Sequence, residues 1–243
     1  MSGFFNAELN IYSMKYLVDW KIFESKEKDN KPTKEVEKEV NRFKSKWGIE
    51  LDNEFTLREI EVISEGLSYY NTKFIKNRID RIIRKDMGAI KGRWKNTEKK
   101  KWMFLNPKIF NFKKRWKNED VDIPYAVFTV VHETAHCIDY LERVSFSKEW
   151  QSLSGFKKCD IHDKVPDGYI RYIERRPGRK GPKKSEWIHK EDSNFCRKYS
   201  SKNPREDFAD SLAFTILGLS EKLKGEDGEK KLKIINKLLR RID

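Results

Sequence analysis

The sequence predicts a mixed α+β protein in which a helical N-terminal region and a short mixed sheet pack on one long apolar helix. Three observations carry that expectation. Leu57, Ile60, Ile63 and Leu67 recur at helical spacing. Two runs, Ala89-Ile90-Lys91-Gly92-Arg93-Trp94 and Lys101-Trp102-Met103-Phe104-Leu105, alternate as strands do around a polar turn at 95–99. From Pro124 the period is helical again, and Tyr125, Phe128, Val131, Ala135 and Ile138 make that helix too apolar to lie on a surface.

The elements follow in order. Residues 1–54 form a charged, partly helical N-terminal region. Ile11, Tyr12, Met14, Tyr16 and Leu17 could pack on something but show no period. Pro32-Thr33-Lys34 starts a surface helix with Val36, Val40 and Phe43 on a single stripe. Residues 55–220 form the main domain. Thr56 with Glu59 makes a capping box for its first helix. A second helical stretch, with Phe74, Ile75, Ile79, Ile82 and Ile83 on one side, runs to Gly88. After the hairpin and the helix from Pro124, residues 157–195 are loop-like, rich in Gly, Pro and Lys, and include the basic run 175–184. Asn203-Pro204 starts another helix. Residues 221–243 form a charged C-terminal helix beginning near Glu229. A chain of 243 residues suits one domain of ordinary size, or one domain with a modest extra lobe.

The formal net charge is +14, from 53 basic and 39 acidic residues, which favours anionic partners or simply gives a Lys-rich surface. The run 175–184, with Trp94, Trp102 and Trp116 set among Lys and Arg, motivates weak polyanion or nucleic-acid binding. Cys137, Cys159 and Cys196 form no CxxC pair, so no disulfide framework is expected. The run Tyr16-Leu17-Val18 is too short for a signal segment, and no membrane span is expected. A cytoplasmic location is the default, with leaderless export or virion packaging left open.

The segment His132-Glu133-Thr134-Ala135-His136 carries the chemistry. Positions i and i+4 of a helix share a face, so the two imidazoles converge on one point, as a tetrahedral zinc ion (Zn2+) requires. Glu133 is placed to act as general base on the water of such a site. Catalytic zinc usually takes three protein ligands and keeps a fourth position open. His162 and His189 lie in the basic region with no pattern tying them to the pair. The metzincin extension is missing, since position 139 is Asp and position 142 is Glu. The best third ligand is a carboxylate on the helix from Asn203-Pro204. There Glu206 and Asp210 stand one turn apart, Phe208, Leu212 and Ile216 supply the packing face, and Ala209 permits close approach. Taken alone, Asn-Pro-x-Glu is a well-capped helix start; beside the His pair, Glu206 reads as the ligand. Asp139 is either an acceptor for a ligand imidazole or an ordinary helix acid. Cys137 reads as core.

These residues resemble a known family. HETAH with a downstream Glu-x-x-x-Asp helix is similar to the gluzincin arrangement of thermolysin-type peptidases, where the Glu is the third ligand and the acid one turn on orients a ligand His. Tyr199, Asn203, Glu206, Phe208, Ala209 and Asp210 resemble the group of the anthrax lethal factor catalytic domain and the Pro-Pro endopeptidases. They also resemble a broad set of bacterial and phage zinc metallopeptidases with a Tyr-x-x-x-Asn-Pro-x-Glu-Asp-Phe-Ala-Glu signature, and residues 149–156 are similar to a segment of those proteins. The likeness spans residues 55–220 in order of elements, and about twenty positions in specific motifs. Asp210 stands where the lethal-factor group more often has Glu, and Thr134-Ala135 where HExxH usually has a bulky residue and Gly. The resemblance implies a small zincin-like fold and a zinc-dependent endopeptidase acting on a polypeptide. It also implies Tyr199 as oxyanion donor and Asp210 as the acid behind a ligand His. The strand at 102–105 would supply the edge on which an extended substrate pairs. Two rivals stand beside it. One is a basic nucleic-acid-associated protein with a structural or inactive zinc site, closed by His162, His189 or Cys159. The other is a peptidase acting on nucleic-acid-bound proteins.

Overall fold

The structure is a computed structural model, and it describes residues 33–242 apart from 53, 77, 98–99, 112, 118–120 and 175–182. The aperiodic stretch at 11–17 and all but the last two residues of the basic run 175–184 lie outside the described residues. The architecture is mixed α+β, with small sheets and helices around one core.

Helix α1 (Lys34–Trp47) begins with Glu35 and Glu37 and ends with Lys44 and Lys46, each sign at the end of the helix dipole that favours it. Phe43 and Trp47 are buried, and the Trp47 indole donates to Ser64 Oγ at 3.1 Å. Strand β1 (Glu50–Leu51) pairs in parallel with β2 (Arg81–Arg84). Residues from Lys34 onward therefore share one packed unit with those after 55. Helix α2 (Leu57–Ser68) has the expected capping box: Thr56 Oγ1 accepts from the Glu59 N–H at 3.3 Å and Glu59 Oε2 from the Thr56 N–H at 3.0 Å. Thr56→Ala is expected to cost about 1 kcal/mol, or roughly 2–4 °C in Tm for a domain of this size. Thermal unfolding checks it; an unchanged Tm would mean that the cap adds nothing to stability.

The helix expected from Phe74 to Gly88 forms only as the short α3 (Thr72–Ile75). Ile79 and Ile82 are buried, but the chain there extends into β2. A cluster of Ile at spacings of three and four fits either period, and β-branched residues pack well between two strands. The hairpin forms from β3 (Gly92–Thr97) and β4 (Lys100–Leu105), with Thr97 opposite Lys100. The sheet order is β1-β2-β4-β3. The strand expected at an edge, 102–105, is therefore interior, and β3 is the edge.

A small antiparallel pair, β5 (Arg115–Lys117) and β6 (Asp122–Pro124), leads into helix α4 (Tyr125–Glu142). Every residue of 126–139 except His136 is buried. The helix packs against α2, β3 and a later helix, α6 (Pro204–Ile216). At Gly66 of α2 a Cβ would stand 2.6 Å from Val130 Cβ, so α2 and α4 approach as closely as they do only because that residue is glycine.

The region 157–195 is not a loop. After α5 (Lys148–Leu153), which buries Trp150, it forms an antiparallel sheet in the order β7-β9-β8: β7 (Lys157–Lys158), β8 (Tyr169–Glu174) and β9 (Lys183–Lys190). Its alternation is hard to see because most outward positions are Lys or Glu, while Arg171 points inward. The C-terminal helix α7 (Gly225–Ile242) docks through Ile235, Leu238 and the fully buried Lys231, whose Nζ lies 3.0 Å from Asp207. Among the described residues no helix is long and apolar enough to cross a membrane, and the three cysteines are free.

Candidate metal centre

Helix α4 presents His132 and His136 on one face, and α6 brings Glu206 up to them. The start of α6 sets that approach. Asn203 Oδ1 accepts the N–H groups of Arg205 and Glu206 at 3.0 Å each, and Pro204 occupies the first turn. Glu206 Oε2 then lies 3.3 Å from His132 Nε2 and 3.2 Å from His136 Nε2. The three donor groups form a cluster whose ligand atoms all lie within 4.8 Å of one another. The two imidazoles stand edge to face, with centroids 4.7 Å apart.

The surrounding contacts fix the rings unequally. His132 Nδ1 lies 2.8 Å from Asp210 Oδ1. Asp210 is fully buried and is gripped by Arg197, at 2.8 and 2.6 Å, and by Ser200 Oγ at 2.7 Å. This is the carboxylate-to-imidazole contact expected behind a ligand His. Asp139 differs from expectation. Its oxygens accept from the Ser145 N–H at 2.8 Å and the Ser145 hydroxyl at 2.6 Å, so it caps the turn after α4 rather than either ring. Neither imidazole Nδ1 makes a hydrogen bond of good geometry among the described residues, but His132 Nδ1 has the Asp210 carboxylate at ion-pair distance.

No family model, curated protein or solved structure matches this chain. Two imidazole nitrogens and one carboxylate oxygen, converging in a largely buried place, fit a divalent ion of the zinc type. The electrostatics agree, because three carboxylates (Glu133, Glu206 and Asp210) share the neighbourhood. Burial by itself would lower the His132 pKa, but Asp210, then Glu206 and Glu133, raise it to about 10. Burial would raise Glu206, but the two imidazoles hold it well below the usual carboxylate range. Burial would likewise raise Asp210, and Arg197 followed by His132 brings it below its ordinary value. Such a cluster is complementary to positive charge.

Glu133 is buried beside the histidines, and burial pushes its carboxyl up. Its roof is β3. A Cβ at Gly92 would stand 2.5 Å from Glu133 Oε1, and the Trp94 backbone N–H faces the carboxylate. Tyr199, on a 3-10 turn (Lys198–Lys202) before α6, donates its hydroxyl to Glu206 Oε1 at 3.2 Å and accepts from Lys202 Nζ at 3.2 Å. Burial, then Glu206, raises its pKa, so the hydroxyl keeps its proton.

The candidate fourth ligands lie elsewhere. His162 is exposed. His189 packs on Phe156 and Phe195, with Nδ1 2.7 Å from the Lys190 carbonyl oxygen. Cys159 Sγ accepts from Arg171 at 2.9 Å. Sequence reasoning missed Arg197, Ser200, Lys202 and Gly92. For Ser200 and Lys202 the signal was their nearness to Tyr199 in the chain; Arg197 and Gly92 gave none.

Proposed function

We propose that this protein is a zinc-dependent endopeptidase with a zincin-like arrangement of the gluzincin kind. The observation that carries the reading is the convergence of both HExxH imidazoles on Glu206 with Glu133 beside them. His132, His136 and Glu206 would hold the ion. A zinc ion held there supplies Lewis acidity to the scissile carbonyl and lowers the pKa of water. Glu133 takes a proton from the attacking water on its carboxylate and passes it to the leaving amine nitrogen. Burial makes that carboxylate a stronger base, and the roof of β3 limits the solvent that reaches it. Tyr199 Oη, still protonated, donates to the oxygen that becomes negative in the transition state. Asp210, itself held by Arg197 and Ser200, fixes the His132 ring. The edge of β3, leading away from Glu133, offers backbone N–H and C=O groups to an extended polypeptide.

Metal analysis tests the ligand set. The purified protein is expected to hold about one zinc per chain, and His132→Ala and Glu206→Ala should each lose most of it, because three protein ligands are the usual minimum for a catalytic site. Glu206→Ala protein that keeps its zinc while His162→Ala or His189→Ala loses it would remove Glu206 from the site. The activity itself is tested by profiling cleavage of a peptide library, with chelation expected to stop it and added zinc to restore it.

A further inference from the structure

A cavity of about 330 Å3 opens between β3 and the C-terminal half of α4. Lys73, Lys76, Arg78 and Lys101 line it, and none of its lining residues is acidic. The Arg78 guanidinium is steadied over the Phe74 ring, 4.9 Å from the centroid. Asp80 stands near, with Oδ2 accepting the Lys101 backbone N–H at 3.0 Å. Among the described residues the cavity is thus lined by positive charge, with the Asp80 carboxylate at its margin.

Its position ties it to the candidate centre. Trp94 and Asn96 line it from β3, and Cys137 and Tyr140 from α4. Glu133, Cys137 and Tyr140 are at i, i+4 and i+7, one face of the helix. At 1.5 Å per residue the cavity lies about 6–10 Å along that face from Glu133. Strand β3 covers the same path: Gly92 meets Glu133, and Trp94 and Asn96, two and four residues on, point to the cavity. An extended chain advances about 3.3 Å per residue, so this path corresponds to about two or three residues of a peptide laid along the edge.

We propose that the cavity binds the carboxylate of an Asp or Glu side chain in the polypeptide substrate, two or three residues from the bond that is cut. That the bound peptide is a substrate rests on the peptidase reading; the binding chemistry stands on the charge of the cavity alone. A peptide is favoured over a nucleic acid because one wall is formed by β3, an edge strand whose free side can pair with a peptide backbone, and because the Trp94 ring is packed against Tyr140 at 5.3 Å.

Two measurements keep the readings separable. In the first, Glu133→Ala protein is titrated with fluorescein-labelled neutral decapeptides carrying one Glu, or one Gln, at each position in turn. The Glu peptides should bind about tenfold more tightly at one or two adjacent positions, as a few largely exposed ion pairs acting together allow. The further substitutions Lys76→Gln and Arg78→Gln should erase that difference and leave the Gln peptides unaffected. Equal binding of Glu and Gln peptides, or a difference that survives the double change, overturns the proposal. So does an oligothymidylate that binds through Lys76 and Arg78 without any preference among peptides, or a phosphoserine peptide preferred over Glu at the same position. In the second, wild-type protein cleaves a peptide library. Enrichment of Asp and Glu at one position, lost in the Lys76→Gln, Arg78→Gln protein, supports the proposal. Cleavage without that enrichment overturns it and leaves the peptidase reading intact. No cleavage of any peptide removes the peptidase reading and the substrate assignment with it, even where the Glu preference in binding holds.

Discussion

Glu133→Gln protein is expected to fold, to bind about one zinc per chain, and to lose roughly 10²–10⁴ in turnover, the usual contribution of a general base. The substitution keeps the shape under Gly92, where no space exists for a larger group. It removes only the capacity to accept a proton. Glu133 stands among the donor groups without belonging to the convergent set of His132, His136 and Glu206, so metal content should not follow activity. The loss should appear in kcat, measured on a peptide that the wild-type protein cleaves, with zinc measured on the same samples. Zinc lost together with activity would make Glu133 a ligand. Full activity would place the base elsewhere, yet the other two carboxylates of the cluster are already engaged. Glu206 faces both imidazoles, and Asp210 is held by Arg197 and Ser200.

The site was more legible in the sequence than the sheet around it, and for a physical reason. HETAH is written in one helical turn, and Asn203-Pro204 with Glu206 in another, so local periodicity alone places each half. Their meeting needed only one assumption, that both helices bury the faces that carry these residues, and Phe128, Phe208 and Leu212 supply that. Strand order is a different matter. Whether β3 or β4 is the edge depends on β2 lying parallel beside β4, a contact between residues about twenty positions apart that leaves no local trace. The same holds for Ile79 and Ile82, whose spacing suits a helix, although Ile82 lies buried in β2 and Ile79 in the extended approach to it. In the second sheet the obstacle was composition. Lys157, Lys158, Lys183, Lys184 and Lys190 give a loop-like profile to strands whose inward residues are few, among them Arg171 and Ile188. Arg197 shows a third kind of limit. A lone Arg carries no pattern, and its importance comes from the fully buried carboxylate of Asp210 that it meets in the fold.

Tyr199→Phe protein is expected to keep its fold and its zinc and to lose about 10²–10³ in kcat, the typical worth of one donor to a developing oxyanion. The hydroxyl is set for that role. It lies at the rim of the donor cluster, 3.2 Å from Glu206 Oε1, and Lys202 Nζ donates to it from the other side at 3.2 Å. A neighbouring ammonium strengthens the hydroxyl as a donor, while burial and Glu206 keep its proton in place. In the ground state the proton points at Glu206; as charge builds on the carbonyl oxygen a better acceptor forms, and the hydrogen bond turns to it. Because that bond exists only in the transition state, kcat and kcat/KM should fall by the same factor and substrate affinity should hardly change. The competing role is mechanical: Tyr199 could serve only to steady Glu206. In that case Tyr199→Phe would weaken zinc binding, which a competition titration with a chelator reads directly, and activity would return at high zinc. Loss of activity that added zinc does not restore, at unchanged zinc affinity and unchanged Tm, is the result that assigns the hydroxyl to the transition state. Unchanged kcat with a lowered Tm would make Tyr199 a packing residue and take it out of the chemistry.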